Sequence, residues 1–438
     1  MTRPGRRAFL TTVSAGAAML AGCSRYNPFA DQPNSTSVGE QFRYNARAQG
    51  IDGDGETEVG GKLQALLDTV HDEGGGIIYF PPGRYLFEQT PLIGSGTTLI
   101  GAGPATVFEG VRPAGQTGRA LLSNRGYDET GYDGASNWTI RNLRIDSPET
   151  NGIMPAHAAN VRLEQLYGNA ILYHHVDVVS SRNVIVDGYW ADRGGTASSN
   201  APIQFDAQQR GVRSNTVWDG SETTRVADDD TPSSGCTLRN FEIEAENGPA
   251  YGVHIHRGPH DSLTIRDGSI TGCQYTAVRC DPGEILTDLT VSNLSCRENA
   301  RGITLGHVAG GRQGLSISDV RIDTTDSALA GGSGVYAAGF DGGHLSNVTV
   351  DGAFTNSLIF DDMAPLQLSD TTARGAEEQA YRFRENVEVT LTAARATDCG
   401  GAGIYSGPGS RVTYGGVTFE NVGTRVVADG DVEEWASS

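Results

Sequence analysis

Leu263-Thr264-Ile265-Arg266-Asp267, Leu289-Thr290-Val291-Ser292-Asn293 and Leu315-Ser316-Ile317-Ser318-Asp319 are copies of one pattern: apolar, any, apolar, any, then Asn or Asp. Further copies, some ending on other residues, begin at Trp138, Val161, Val184, Cys236, Gly343, Leu366, Val389 and Val412. Ten steps separate the eleven starts; nine are 23 to 28 residues long, and the step from Val184 to Cys236 is 52. Alternation of apolar and polar residues is the mark of a strand with one buried face. Its return every two dozen residues marks a solenoid, an all-β chain of stacked coils. Stacked coils share one core, so 438 residues need no division into separate globular domains.

Each coil carries a second strand that opens on Gly or a small residue. These run over residues 171–179, 202–207, 251–257, 276–281, 302–305 and 334–338. The long step equals two coils, or one coil with an insertion. Residues 207–235 are polar, include Asp228-Asp229-Asp230 and lack alternation, so they read as an excursion loop.

The ends of the chain differ from the repeat. Residues 60–73 place Leu63, Leu66, Leu67 and Val70 on one helical face. Gly74-Gly75-Gly76-Ile77-Ile78-Tyr79-Phe80-Pro81-Pro82-Gly83-Arg84-Tyr85-Leu86 follows, then Thr97-Thr98-Leu99-Ile100-Gly101. An open solenoid end exposes core and strand edges and needs such a cap. This stretch, residues 42–110, resembles the N-terminal segment of pectate-lyase-superfamily right-handed β-helices, with their Gly-Gly-Gly, strand and Pro-x-Gly-x-Tyr signature. The resemblance implies a single-stranded right-handed parallel β-helix with a short N-terminal capping helix. Lyases, hydrolases, epimerases and phage tailspikes share the segment. The Asp-Asp-Thr that usually precedes its helix stands here as Gly55-Glu56-Thr57.

Residues 1–39 read as an address rather than as fold. Arg6-Arg7-Ala8-Phe9-Leu10 opens a twin-arginine-like signal, and the apolar run that follows, residues 15–21, is too short to span a bilayer. Leu20-Ala21-Gly22-Cys23 resembles a lipobox, which implies lipidation of Cys23. Residues 1–23 are thus the signal, 24–39 a polar tether, 40–110 the cap and first coils, and 111–430 the remaining coils. The expected location is the extracellular face of the cell membrane, held by the lipid anchor alone, as a monomer or small homo-oligomer.

The net charge is −20, and Lys62 is the only lysine among 33 basic residues. Such a surface argues against nucleic acid or an anionic membrane as partner. It resembles the surfaces of haloarchaeal proteins, whose dense carboxylates keep them soluble in brine. Cys236, Cys273, Cys280, Cys296 and Cys399 lack metal-ligand spacing and read as small buried residues, with a Cys273–Cys296 disulfide open.

Aligning the apolar pairs of the second strands stacks their outward residues into two rows. One row is Asp177, Gln204, His254, Arg279, Thr304 and Tyr336. The other is Val179, Asp206, His256, Asp281, Gly306 and Ala338. His175 and His260 lie at the edge, and five of nine histidines fall in or beside two of these strands. Asp206, His256, Asp281, His254, Arg279 and Asp177 are the candidate catalytic residues; Gln204, His175, His260, Thr304 and Tyr336 are candidate substrate contacts.

Three chemistries suit such a patch. In β-elimination from a uronic acid, His256 or Arg279 serves as base or charge neutraliser, with Ca²⁺ held between Asp206 and Asp281. In glycoside hydrolysis, Asp206 and Asp281, two coils apart at about 4.8 Å per coil, fall nearer the inverting spacing. In a metal site, His254 and His256 point the same way with Asp206 as third ligand.

Residues 203–206, 252–256 and His260 are similar to an uncharacterised bacterial and archaeal group of β-helix proteins. The paired aspartates and Gly-His-Gly of galacturonan hydrolases are absent, as is the arginine-centred motif of pectate lyases. The function expected is cleavage or modification of an extracellular polysaccharide. Its rival is a non-catalytic surface protein that binds glycan or builds cell-surface structure.

Overall fold

The computed structural model describes residues 43–111, 120–147, 149–171, 173–192, 201–212, 215–245, 250–308, 313–324, 332–352 and 354–435. The twin-arginine stretch, Cys23 and the polar tether lie outside them. Among the described residues, 33 strands form one hydrogen-bonded system and two more a separate hairpin. Every pairing in the large system is parallel, as a right-handed parallel β-helix requires.

All eleven pattern starts stack on one another. Val161 faces Val184, Leu263 faces Leu289, and Val389 faces Val412 across neighbouring coils. The strand runs on past the fifth residue, as in Ala159–Ile171, Arg182–Asp192 and His260–Thr271. That fifth residue has positive φ in every copy, including Gln165, Gly188 and Ala393 as well as the Asn and Asp copies. A single left-handed residue swings the strand from one face of the coil to the next, and Asn, Asp and Gly tolerate that conformation best. Their side chains then bond along the stack: Asn293 Nδ2 donates to Asp267 Oδ1 at 2.9 Å, and Asn347 Nδ2 to Asp319 Oδ1 at 2.8 Å.

Inward residues make one continuous core, with Trp138 its largest fully buried side chain. The five cysteines contribute to it as free, buried thiols, so Cys273 and Cys296 are not bridged. At the N-terminal end the helix Gly60–Asp72 buries Leu63, Leu66, Leu67 and Val70 against the first coils. It is too short to cross a membrane, and among the described residues no helix is long and apolar enough to do so.

The long step is one coil with an insertion, because Ile185 pairs directly with Thr237. The insertion folds as a small antiparallel hairpin, Thr216–Trp218 against Thr223–Arg225. It reaches back over earlier coils. Thr90 N donates to Trp218 O at 2.6 Å, Tyr132 OH to Pro232 O at 2.9 Å, and Gly131 N to Asp229 Oδ2 at 2.7 Å. Val217 and Val226 pack with Met154, Ala156 and Val179 in a second apolar cluster outside the main core. The Asp228–Asp230 run serves this loop. Each carboxylate accepts a backbone N–H, from Gly211, Gly131 or Arg210.

Candidate functional site

The two outward rows form as the alternation requires. Asp177, Gln204, His254, Arg279, Thr304 and Tyr336 are successive partners in register. Val179, Asp206 and His256 are likewise in register. Two details of the strand alignment differ from expectation. The strand of the first row begins at Val176, since Ile171 ends the preceding long strand. The register also slips between Leu305 and His307, so His307 rather than Gly306 faces Ala338.

Burial divides the rows. The excursion covers their N-terminal part: Asn215 Nδ2 donates to Asp206 Oδ2 at 3.1 Å, and Ser233 Oγ to Asp206 O at 2.7 Å. Asp177 and Asp206 are each 1% exposed, and Gln204, itself buried, donates to Asp177 Oδ1 at 3.1 Å. The open part begins at His256. Its side chain and that of Asp281 are each 26% exposed, and that of Arg279 is 14% exposed.

Five of the candidate residues are buried, and a sixth lies away from the open part. His175 is fully buried, with Nδ1 bonded to Tyr189 OH, and its ring fills the space that a Cβ at Gly168 would need. His260 is buried, and its Nε2 is hydrogen bonded to His256 O at 3.1 Å, which fixes the end of that strand. Thr304 is buried and donates to Thr276 Oγ1 at 3.2 Å. Gln204 and Asp177 bond to each other beneath the surface. Tyr336 stays half-buried beside Arg384, further along the row.

The part-exposed His256, Asp281 and Arg279 form a tight set with the buried His254. His254 Nε2 lies 3.0 Å from Asp281 Oδ2, and Arg279 Nε donates to Asp281 Oδ1 at 2.9 Å. His256 stacks on His254 with ring centroids 4.7 Å apart. Its Nδ1 is 3.9 Å from Asp206 Oδ1 and its Nε2 is 3.8 Å from Asp281 Oδ2. Neither His256 Nδ1 nor Asp206 Oδ1 has a hydrogen-bond partner, although both are buried atoms.

The two carboxylates are driven apart in acidity. Burial, and then the neighbouring charge of Asp177, push Asp206 well above the usual carboxylate range. Burial also pushes Asp281 up, but the His254 hydrogen bond and the Arg279 guanidinium outweigh it and hold that carboxyl low. Burial, with His254 and Arg257 nearby, brings His256 down to about 3, so its imidazole is neutral at neutral pH. A neutral imidazole therefore stands between a carboxyl whose acidity burial weakens and one held ionised.

This geometry corrects three further expectations. His256 lies between Asp206 and Asp281, and both Asp281 oxygens are engaged, so the pair does not frame a space for Ca²⁺. Among the described residues no cluster of three or more His, Cys, Asp or Glu is arranged to hold a metal ion, the His254–His256–Asp206 set included. Asp206 also lies too deep to flank a glycosidic bond opposite Asp281.

The alternating pattern does not mark the aromatic border of this set. Tyr275, 36% exposed, packs edge-on to Tyr251 and has the guanidinium of Arg301 over its ring at 4.2 Å and that of Arg279 at 5.5 Å. Tyr251 and Tyr275 stand at the entrance of their strands, where alternation gives no signal. A cleft of about 520 Å³ lies by Asn386, Glu388, Arg411 and Asp431, among turns of the C-terminal coils rather than at the histidines.

Residues 43–244 match the family described as rhamnogalacturonase A/epimerase, pectate lyase-like. Alginate lyase 7 of Azotobacter vinelandii is 31% identical over 118 residues, which is 25% of this chain and only 13% of that relative's length. Among solved structures, PfbA, a surface adhesin of Streptococcus pneumoniae, aligns over 86% of this chain and 91% of its own at 13% identity and a TM-score of 0.52. The catalytic unit of an α-1,3-glucanase from Streptomyces thermodiastaticus aligns over 93% and 71%, at 13% and 0.53. A family 28 exopolygalacturonase from Yersinia enterocolitica aligns over 89% and 77%, at 10% and 0.50. At these identities the structural likeness is one of fold.

Proposed function

We propose that this chain cleaves an acidic polysaccharide outside the cell by β-elimination, on the outward face of its short parallel strands. The observation that carries the reading is the part-exposed, neutral His256 imidazole between Asp206 and Asp281, with Arg279 beside it. His256 Nε2 takes the proton from the sugar carbon next to the uronate carboxylate. The electron pair left behind forms a carbon–carbon double bond, and the glycosidic bond on the next carbon breaks, its oxygen leaving with the bonding pair and taking a proton from water. Arg279 offsets the charge that builds on the carboxylate in the transition state. Its bond to Asp281 uses Nε, leaving the terminal nitrogens to face the sugar. The imidazolium that forms is stabilised by the ionised Asp281.

Three further observations support a carbohydrate ligand of this class. The matched family description names a rhamnogalacturonase and an epimerase. The partial relative is an alginate lyase. In a protein of net charge −20, Arg257, Arg279 and Arg301 gather at the open edge of the patch. Arg6-Arg7 and the Leu20-Ala21-Gly22-Cys23 stretch support export and anchoring. The lysine-poor surface supports a saline setting.

The second reading is glycan binding without catalysis. The exposed Tyr173 and Tyr275 favour it, since aromatic rims stack on sugars, and PfbA is a surface adhesin. A panel of polysaccharides incubated with the protein in high salt separates the readings. Ultraviolet-absorbing unsaturated ends are expected from a polyuronate. Reducing ends alone would replace elimination with hydrolysis, and retention on a glycan column without any product would leave only binding.

A further inference from the structure

Six residues after the pattern starts Trp138, Val161, Val184 and Cys236 come Arg144, Tyr167, Trp190 and Glu242. They lie beyond the left-handed bend, in the second half of the long strands. Arg144 faces Tyr167, Tyr167 faces Trp190 and Trp190 faces Glu242, so the four form a row across consecutive coils. Tyr167 and Trp190 stack with ring centroids 5.1 Å apart and planes 22° from parallel. Both rings are part-exposed, and they line a cleft of about 370 Å³ with Arg144, Asn169, Glu242 and Glu244. That volume is in the range of small-ligand sites.

We propose that this cleft is a second carbohydrate site, one that takes an uncharged sugar unit and is independent of the histidine patch. Three features argue for it together. An aromatic pair at a cleft wall offers the apolar surface on which the C–H face of a pyranose packs. Arg144 is fixed by the bond from Nη2 to Asp146 Oδ2 at 3.0 Å, yet its buried Nε has no partner. A buried donor left unmet in a cleft wall is an opening for a ligand acceptor, and a sugar hydroxyl oxygen supplies one. Glu242 and Glu244 are exposed at the rim and accept hydrogen bonds from the neighbouring hydroxyls. The same two carboxylates repel a uronate. Charge therefore separates this cleft, with its acidic rim, from the arginine-bordered patch. The site has no reacting group placed against an activated partner, so its role is to hold the glycan.

Affinity electrophoresis in native gels tests the proposal. Gels would contain a neutral glucan, mannan or galactan, or a polyuronate, and the intact protein would run beside Trp190→Ala, Glu244→Gln and His256→Ala. Retardation by at least one neutral glycan is expected, weakened ten-fold or more in Trp190→Ala and unchanged in His256→Ala. Should Trp190→Ala misfold, Glu244→Gln, an exposed change, must show reduced retardation with an unaltered melting temperature. Titration with the retarding oligosaccharide should also shift the tryptophan fluorescence of the wild type. No retardation by any neutral glycan overturns the proposal. So does equal retardation of both cleft variants, or binding lost in His256→Ala instead.

Discussion

Asp177 and Tyr336 hold the same outward row of one sheet, yet Asp177 is 1% exposed and Tyr336 only half-buried. Their coils are built alike; what differs is what lies above them. The N-terminal stretch of the row is roofed by the excursion, which turns outward positions into an interior where Met154 and Val179 pack and burial pushes the Asp206 carboxyl up. The C-terminal stretch, past the buried Thr304, leaves Tyr336 part-exposed, and residues there keep ordinary surface pairings such as Arg384 with Asp361 at 3.2 Å. Exposure on a solenoid is thus set by its insertions, and the reactive edge falls where the roof stops, at His256.

The hardest blow to this contrast is removal of the roof. Replacing residues 208–232 with a short Gly-Ser turn uncovers the second apolar cluster, whose buried Val217 and Val226 contribute about 1.5–3 kcal/mol each. A fall in melting temperature and new binding of a hydrophobic dye are expected, together with loss of activity. Unchanged stability would mean the excursion rests on the coils without supporting them.

At the edge itself, His256→Ala should lower the rate of elimination on the order of 10²–10⁴-fold. Its cost in stability should be no more than about 1 kcal/mol, because the ring is part-exposed. Loss of folding instead of loss of rate would make His256 a structural residue.

The roofed interior also has a signature in pH. His175 and His260 are brought down to about 3 and about 4 by burial, against an ordinary value of 6.5. The unfolded chain binds more protons than the native one between those values and 6.5, so stability falls as pH drops through that window. For one such histidine the loss from about pH 7 to pH 5 is about 2 kcal/mol. Asp177 and Asp206, both raised, act in the opposite direction and soften the fall. Denaturant midpoints across this range should decline in the wild type and decline less in His260→Asn, which keeps a donor for His256 O.

The smallest effect tests the bare coils. Ala393 adopts a φ of 50° at the bend where every other copy but that with Gln165 places Asn, Asp or Gly. Ala393→Gly should raise stability by about 0.5 kcal/mol, the relief of a left-handed Ala offset by the looser unfolded chain. A loss on thermal melting would show that Cβ packing outweighs that relief.

The sequence revealed the coil because alternation is a local signal, and both rows followed from lining up pairs such as Val253/Ile255 with Val278/Cys280. Burial of Asp206 was not legible. It depends on Asn215 and the hairpin around Val217, which sit in a stretch without periodicity. Tyr275 gives no signal because it precedes its strand, and Trp190 gives none because it lies beyond the bend, where the pattern of the first five residues no longer marks the face. A fixed offset from each start would have found Trp190. Nothing comparable would have found Asn215.

The steps from Leu263 through Leu289, Leu315 and Gly343 to Leu366 vary from 23 to 28 residues, yet these starts remain in unbroken register. All the variation in length is absorbed by the turns. Turn length is therefore a free parameter of this architecture, open to insertion and deletion without penalty to the ladder. A lineage can lengthen one turn into a roof, or shorten another to open a groove, while residues two coils apart keep their spacing. The chemistry of such a protein can be remodelled from its margins, one turn at a time.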